Sequence, residues 1–517
     1  METETGHLPD DVATIPAVLA FWAEYSPNAP AIKDVGGTPV TYQELRQRTH
    51  RIAARLCAHG IEQDNVVLIM LANELDQAIW LLGTASAAIG FTIDADTPTP
   101  EIASLIERTS ARAAITDGPL RQELQELFDR AGVQVFSAAG IEGDRSQAAE
   151  DRAHLAAHPG ARPDDPAVVS HTSGTTGRAK LIFRTHRHVV RSGIQHRRTF
   201  GISPDDRALS VAPLSLALGR AGLSHGIVAG ACTIFPKHRA PAEIWSTIER
   251  ERPTWMHASA GFLELLATSE VPPNHLATPS LRFVRVTAAA ISPEVCDTLE
   301  RWLGAPVLPS YSSIETGFIA SNFAHPEMRR RGSVGKPLMD LRIVDERGED
   351  VASGTTGEIW VRSVKVIDRY VDDVAANATA FAPGGWFRTG DAGYLDDDGF
   401  LFLTGRIKEL INRGGTKISP VEVDQIVTAH PGVAEAAAFA IPDEHLGEDI
   451  ALAVVLKPGS TVAARHLRSW MLDRMAIQKV PRRIWFLTSG ELPRTASGKP
   501  QRLELSRRWR EMSRRRS

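Results

Sequence analysis

Directly after the apolar run Ala167-Val168-Val169 comes Ser170-His-Thr-Ser-Gly-Thr-Thr-Gly-Arg-Ala-Lys180, a stretch whose residue types suit a phosphate. Gly174 and Gly177 permit sharp turns, the hydroxyls and successive backbone N–H groups donate to anionic oxygens, and Lys180 adds positive charge. It is not the loop of P-loop enzymes, where lysine directly follows the second glycine, because Arg178 follows Gly177 here. Four further segments carry matching chemistry. Tyr311-Ser-Ser-Ile-Glu315-Thr316 offers an aromatic ring that could stack on a purine and a carboxylate that could help hold a phosphate-bridging Mg²⁺. Trp386-Phe-Arg-Thr-Gly-Asp391 ends on an aspartate at a glycine turn, where one carboxylate can take both hydroxyls of a ribose. Thr404-Gly-Arg406-Ile-Lys408-Glu409 runs on into Asn412-Arg-Gly-Gly415-Thr-Lys417. Leu492-Pro-Arg-Thr-Ala-Ser-Gly-Lys499 sets a lysine on a Pro/Gly-bounded loop from which it could swing into an anionic site. Taken singly, each of these is also an ordinary polar loop.

Elements of an α/β protein must position them. With 517 residues, two to four domains are expected. From Leu19 to about Phe136, helical-period stretches such as Tyr42–Leu56, closed by Gly60, alternate with apolar runs such as Val66–Met70, the pattern of βα units and a largely parallel sheet. After the polar stretch 160–166 the alternation resumes, with strands at Ala167–Val169, Leu209–Ala212, Cys232–Phe235, Phe283–Val286 and Val307–Pro309. From about Gly335, strands separated by Gly and Asp turns indicate an antiparallel subdomain. The fold class is thus α/β: a large N-terminal body of parallel and mixed sheets flanked by helices, that antiparallel subdomain, and a small mobile α+β domain. The domains expected are 1–405 and 406–517. The small one has strands near Ala436–Ile441 and Ala451–Leu456 and helices near Val421–Thr428 and Ala463–Ala476. The basic stretch Ser506–Ser517 reads as a frayed, solvated tail.

Composition narrows the class. Lys plus Arg is 58 against 62 Asp plus Glu, a formal charge of −4, with 43% apolar and 23% charged residues, which argues against dedicated nucleic-acid binding. No basic and apolar leader opens the chain and no run approaches the ~20 apolar residues of a membrane span, so a cytoplasmic location is expected. Cys57, Cys232 and Cys296 are odd in number and lack CxxC spacing, which points to buried free thiols.

In their order and separation, the five motifs resemble the acyl-adenylate-forming superfamily of acyl-CoA synthetases, peptide-synthetase adenylation domains and luciferases. The resemblance runs from about Ile15 to Arg502 and includes Thr41-Tyr-Gln-Glu-Leu45 and Pro420-Val-Glu-Val-Asp424. Within it, Phe400 to Pro420, with Gly332-Ser-Val-Gly-Lys-Pro337, looks most like the oxalate–CoA ligase branch. The resemblance implies ATP, Mg²⁺ and CoA as cofactors. It assigns Thr172, Ser173, Gly174, Thr175, Thr176 and Gly177, with Lys180, to the phosphates. Ala288, Ala289 and Tyr311 would hold adenine with Ser312 beside them, Asp391 and Arg406 the ribose, and Glu315 the Mg²⁺. Thr176, Glu315 and Lys499 would be catalytic, Lys499 bridging carboxylate and α-phosphate. Lys408 matches the hinge about which the small domain turns, and Gly415 a glycine past which pantetheine slides.

Two departures bear on activity. Tyr-Gly-x-Thr-Glu is usual, but here Ser312 replaces Gly and Ile314 replaces Thr, removing a hydroxyl worth about 1–3 kcal/mol. In Pro213-Leu-Ser-Leu-Ala-Leu218 the aromatic-His pair of CoA ligases is Ser215 and Leu216, and a further His of the oxalate branch is Leu218. With Leu216, Leu218, Ala260, Phe262 and Phe318 in the lining segments, a mostly apolar aliphatic or aromatic acid is expected in place of oxalate. His257, Arg220 and His225 are candidates for a second polar group. The expected activity is ATP-dependent acid–CoA ligation. The alternatives are adenylation followed by transfer to an amine or to a carrier protein's phosphopantetheine, and a catalytically weak adenylate- or acyl-binding protein.

Overall fold

The computed structural model describes residues 8–139, 160–171, 180–271, 280–287, 289, 291–371, 373–494 and 500–514. Among these residues four sheets form. In the largest, the strands Pro30–Asp34, Cys232–Phe235, Arg207–Ser210, Trp255–Ser259, Phe283–Thr287 and Val307–Ser313 lie parallel, side by side in that order. Antiparallel strands close both edges: Val40–Thr41 at one, Gly317–Ser321 and Lys336–Pro337 at the other. Its central strands are buried on both faces, as expected of a sheet covered by helices on both sides. A second, six-stranded sheet is centred on the fully buried Val66–Met70 and ends in the antiparallel pair Pro166–His171 and Leu181–Thr185, which flank the expected phosphate segment in the sequence.

The third sheet is the antiparallel subdomain, in which Trp386–Leu395 pairs with Gly357–Arg362 and with Leu401–Arg406. In the small domain, Val433–Asp443 and Gly447–Leu456 form a long hairpin. It packs against the helices Pro420–Thr428 and Arg502–Arg514.

Local sequence explains how the helices over the large sheet sit so close to it. The helix Ala217–Ala229 opens at Gly219, where an added Cβ would lie 2.1 Å from the Pro213 carbonyl, so only glycine lets the preceding turn fold back on it. The helix His186–Phe200 starts with a capping box made by Thr185 and His188.

Three expectations are corrected. The strand expected over Leu209–Ala212 is Arg207–Ser210, which leaves Val211 and Ala212 at the mouth of the cleft described below. As far as Arg514 the basic stretch is not frayed: Arg502–Arg514 is a helix whose Leu505 is buried and whose Trp509 packs edge-on against Phe439 and Trp485. Residues 502, 505, 506 and 509 share one face and dock, while Arg507 and Arg508 on the other pair with Glu504. Of the thiols only Cys232 is buried; Cys57 and Cys296 are half-buried, and all three are free.

Candidate active site

A single cleft of about 2470 Å³ opens where the parallel strands of the large sheet end, the place where open α/β sheets bind ligands. On one side, strand register puts Asp391 opposite Arg406, and Arg406 Nε stands 2.8 Å from Asp391 Oδ1. The hydroxyl of Tyr311, reaching from the Val307–Ser313 strand, donates to the other carboxylate oxygen. Burial first, and the Asp391 charge second, hold the Tyr311 phenol well above its ordinary range, so it stays a donor. Three strands therefore fix one carboxylate, whose side chain remains 14% exposed toward the cleft. Its two oxygens keep lone pairs for further donors, as a vicinal diol would supply.

Next to this group, Glu315 accepts a 3.0 Å hydrogen bond from the Tyr370 hydroxyl, and the Lys180 ammonium lies 4.2 Å from the centre of the Tyr370 ring. Arg184 donates to the Ile314 carbonyl at 2.6 Å. Burial lowers the Arg184 pKa to about 10, with Glu315 acting against the shift. A carboxylate between two cations suits a polyphosphate with its metal, since Mg²⁺ takes one or two carboxylates and phosphate oxygens. Glu315 is the residue present that would hold it. The hydroxyl absent at Ile314 has neighbours in Ser312 and Ser313, both on the cleft, with Ser313 Oγ 3.0 Å from Thr316 Oγ1.

Leu216, Leu218, Ala260, Phe318 and His257 line another wall of the same cleft, and Ala289 and Lys408 reach it as well. Arg220 is not available to a second polar group. Its guanidinium bonds Thr92 Oγ1, the Leu214 and Ser215 carbonyls and Ser170 Oγ, tying the 213–216 turn to the end of the Pro166–His171 strand. His225 shares a hydrogen with Ser192 at 3.3 Å and stacks on His196 at 4.2 Å. Sequence reasoning missed Arg285, a cleft-lining guanidinium only 2% exposed, and it missed Ser313 and Tyr370. The signal available for Arg285 was a lone charge in the apolar run Phe283–Val286.

Gly415 is not brought to this cleft. It sits in the exposed turn between Ile411–Arg413 and Thr416–Ile418 with φ of +86°, a conformation that itself calls for glycine. Thr172, Ser173, Gly174, Thr175, Thr176 and Gly177, with Ala288 and Lys499, lie outside the described residues. The residues on either side of 495–499, Arg494 and Pro500, pair with each other and both line the cleft.

Comparison with known proteins matches residues 19–371 to the AMP-binding enzyme family and 422–499 to the AMP-binding enzyme C-terminal domain. Oxalate–CoA ligase of Arabidopsis thaliana is 32% identical over 509 residues, 95% of this chain and 98% of that one. Sulfoacetate–CoA ligase of Cupriavidus necator is 30% identical, covering 96% and 98%. Among solved structures, o-succinylbenzoate CoA synthetase of Bacillus subtilis in complex with its acyl-adenylate intermediate is 26% identical, with a TM-score of 0.83 over 94% of this chain and 97% of that one. The motifs, the cleft and these matches agree, and the chain belongs to the AMP-binding enzyme family, acid–thiol ligases that activate a carboxylic acid with ATP and pass the acyl group to CoA.

Proposed function

We propose that the cleft adenylates a carboxylic acid with a mostly apolar body and then delivers the acyl group to CoA. In the first step a carboxylate oxygen bonds to the α-phosphorus of ATP while the bond to pyrophosphate breaks. In the second a thiolate attacks the acyl carbon and AMP leaves. The observation that carries this reading is the Tyr311–Asp391–Arg406 group opening into the same cleft as Leu216, Leu218 and Phe318, so one cavity has a diol-binding end and an acyl end.

In this reading Asp391 accepts the ribose hydroxyls and Tyr311, Ser312, Ala288 and Ala289 flank the base. Thr172, Ser173, Gly174, Thr175, Thr176 and Gly177 take the phosphates together with Lys180. Mg²⁺, held through Glu315, would neutralise phosphate charge. Lys499 brings an ammonium to the carboxylate and α-phosphate, whose mutual repulsion is the main obstacle to the first step. The domains 1–405 and 406–517 turn about Lys408 between steps. A cytoplasmic setting supplies both ATP and CoA.

Pyrophosphate release measured on a panel of acids, with and without CoA, tests the reading. Acid-dependent release that yields a thioester only when CoA is added is expected. Release without any thioester moves the acyl group to an amine or a carrier protein's thiol, and no release with any acid overturns adenylation. Lys499→Ala is expected to lower release by about 10²–10³-fold while leaving conversion of a synthetic acyl-adenylate and CoA within about tenfold of wild type.

A further inference from the structure

One face of the large sheet changes character along its strands. At their N-terminal ends it is apolar, with Ala208, Trp255 and Phe283 in register and buried together. Two residues further along it turns polar. Ser210, His257 and Arg285 stand in register on three adjacent strands, with Thr287 beyond Arg285. Parallel strands present their C-terminal ends to ligands, so the polar end is the one that faces the cleft.

Arg285 is the charge in this row, and among the described residues nothing answers it. The side chain is 2% exposed, and its Nε and Nη1 are buried without a hydrogen-bond partner. The Phe318 ring centre lies 3.7 Å from the guanidinium carbon, a contact that leaves the Nε and Nη1 donors unused. The ionisable groups around it are His196, His225 and His257, and burial chiefly, with the Arg285 charge added, keeps all three imidazoles neutral. His225 Nδ1 and His257 Nδ1 are likewise buried and unpartnered. Above His257 the overlying helix carries Gly222, whose missing side chain leaves room between helix and sheet: a Cβ there would meet Ser210 Oγ at 3.5 Å and His257 Nδ1 at 3.9 Å. Arginine keeps its proton even when buried. A cation held out of water without a counter-charge is costly, and such groups are normally paired.

We propose that the acid this enzyme activates is bifunctional: its far end carries a second anionic group, a carboxylate or sulfonate, that docks on the forked donors of Arg285, with the neutral imidazole of His257 beside it. This rests on the adenylation reading and names its substrate class. The strand places Arg285 two residues, roughly 6–7 Å, before its C-terminal residue Thr287. The anion on Arg285 is therefore distinct from the carboxylate that reacts at the nucleotide, and an apolar body between the two lies along Leu216, Leu218 and Phe318. The bidentate fork suits a planar carboxylate and a three-oxygen sulfonate alike.

The test compares acids in pairs that differ only in the far anion: succinate with propionate, glutarate with butyrate, adipate with valerate, terephthalate with benzoate, and 3-sulfopropionate with propionate. Initial rates of ATP–pyrophosphate exchange give kcat/KM for each, and calorimetry with a nonhydrolysable ATP analogue gives binding independently of turnover. At least one dianion is expected to exceed its partner tenfold or more, and the sulfonate pair distinguishes the two anion chemistries. In Arg285→Met the ratio within that pair is expected to fall to near one, while Arg285→Lys keeps part of it. A melting temperature of Arg285→Met no lower than wild type shows that the fold is retained. Monoanions used as well as or better than their partners, or a preference that survives Arg285→Met, overturns the proposal. Dianions that bind through Arg285 with no exchange for any acid overturn adenylation and keep this site; equal or absent binding of both members of every pair overturns the site.

Discussion

Asp391 is held from two sides, by the Tyr311 hydroxyl and by Arg406, and still shows oxygen to the cleft. In the proposed reading, that pre-organisation would let it accept two ribose hydroxyls without first reorienting. Losing two charge-assisted hydrogen bonds costs about 3 kcal/mol or more, roughly a hundredfold or more in affinity. Asp391→Ala is accordingly expected to raise the KM for ATP by that factor while moving the KM of the acid much less, and Asp391→Asn to fall between. Initial-rate kinetics with each substrate varied in turn decides this. An unchanged ATP dependence removes Asp391 from the nucleotide site. Ile314 shows the complementary logic: its side chain offers no hydroxyl, yet its carbonyl anchors the buried Arg184 beside Glu315, and the hydroxyls of Ser312 and Ser313 lie on the same cleft.

The helix His186–Phe200 ties the first helix, Ile15–Tyr25, to the body, because the backbone N–H of Ile15 donates to His186 Nδ1 at 3.2 Å in a fully buried site. Burial drives the His186 pKa down to about 4, with Asp165 opposing the shift. In the unfolded chain the ring titrates near 6.5, so between about 6.5 and 4 the unfolded state binds the extra proton. Stability from this residue is therefore complete above pH 6.5 and is lost as pH falls toward 4, by about 3 kcal/mol. Melting temperatures measured from pH 7.5 to 4.5 are expected to fall more steeply for wild type than for His186→Asn, which keeps an acceptor and cannot titrate. Parallel curves for the two proteins would exclude His186 as a source of the acid sensitivity.

At the scale of the whole molecule the small domain meets the body near the connection and across the cleft, where Glu264 faces Arg494 and Glu435. Lys408 lies exposed in the 3-10 turn Ile407–Glu409, and Arg502 of the last helix reaches Glu409 at 3.4 Å and Asp424 at 2.6 Å. Ser419 donates to the Thr404 carbonyl and Lys417 pairs with Glu346 at 2.5 Å. In this arrangement Arg494 and Pro500 face the cleft, the disposition that suits the first half-reaction. A 3-10 φ lies close to the value proline imposes, so Lys408→Pro holds the arrangement seen here and resists rotation. Pyrophosphate release is expected to survive in this variant while thioester formation drops by orders of magnitude. Equal loss of both would place the hinge elsewhere.

The amino-acid order alone determined the α/β class and marked the candidate nucleotide-side residues, because contiguous motifs carry the reactive groups: Tyr311 and Glu315 are four residues apart, and Asp391 follows Gly390, within the strand Trp386–Leu395 and not at the expected turn. Hydrophobic runs also place the central strands to within two residues, since a strand covered on both faces is mostly apolar. What the tertiary structure decided are relations between distant elements. The register that sets Arg406 against Asp391, the docking of Arg502–Arg514 on the small-domain hairpin and the tie of Arg220 to Thr92 and Ser170 join separate elements of the chain. Arg285 is the sharpest case. In the sequence it is one charge in an apolar strand with no stated face. The folded chain stacks Phe318, His196, His225 and His257 around it from four other elements, and the low dielectric of that enclosure turns an unremarkable arginine into an unanswered cation at the floor of the acid cleft.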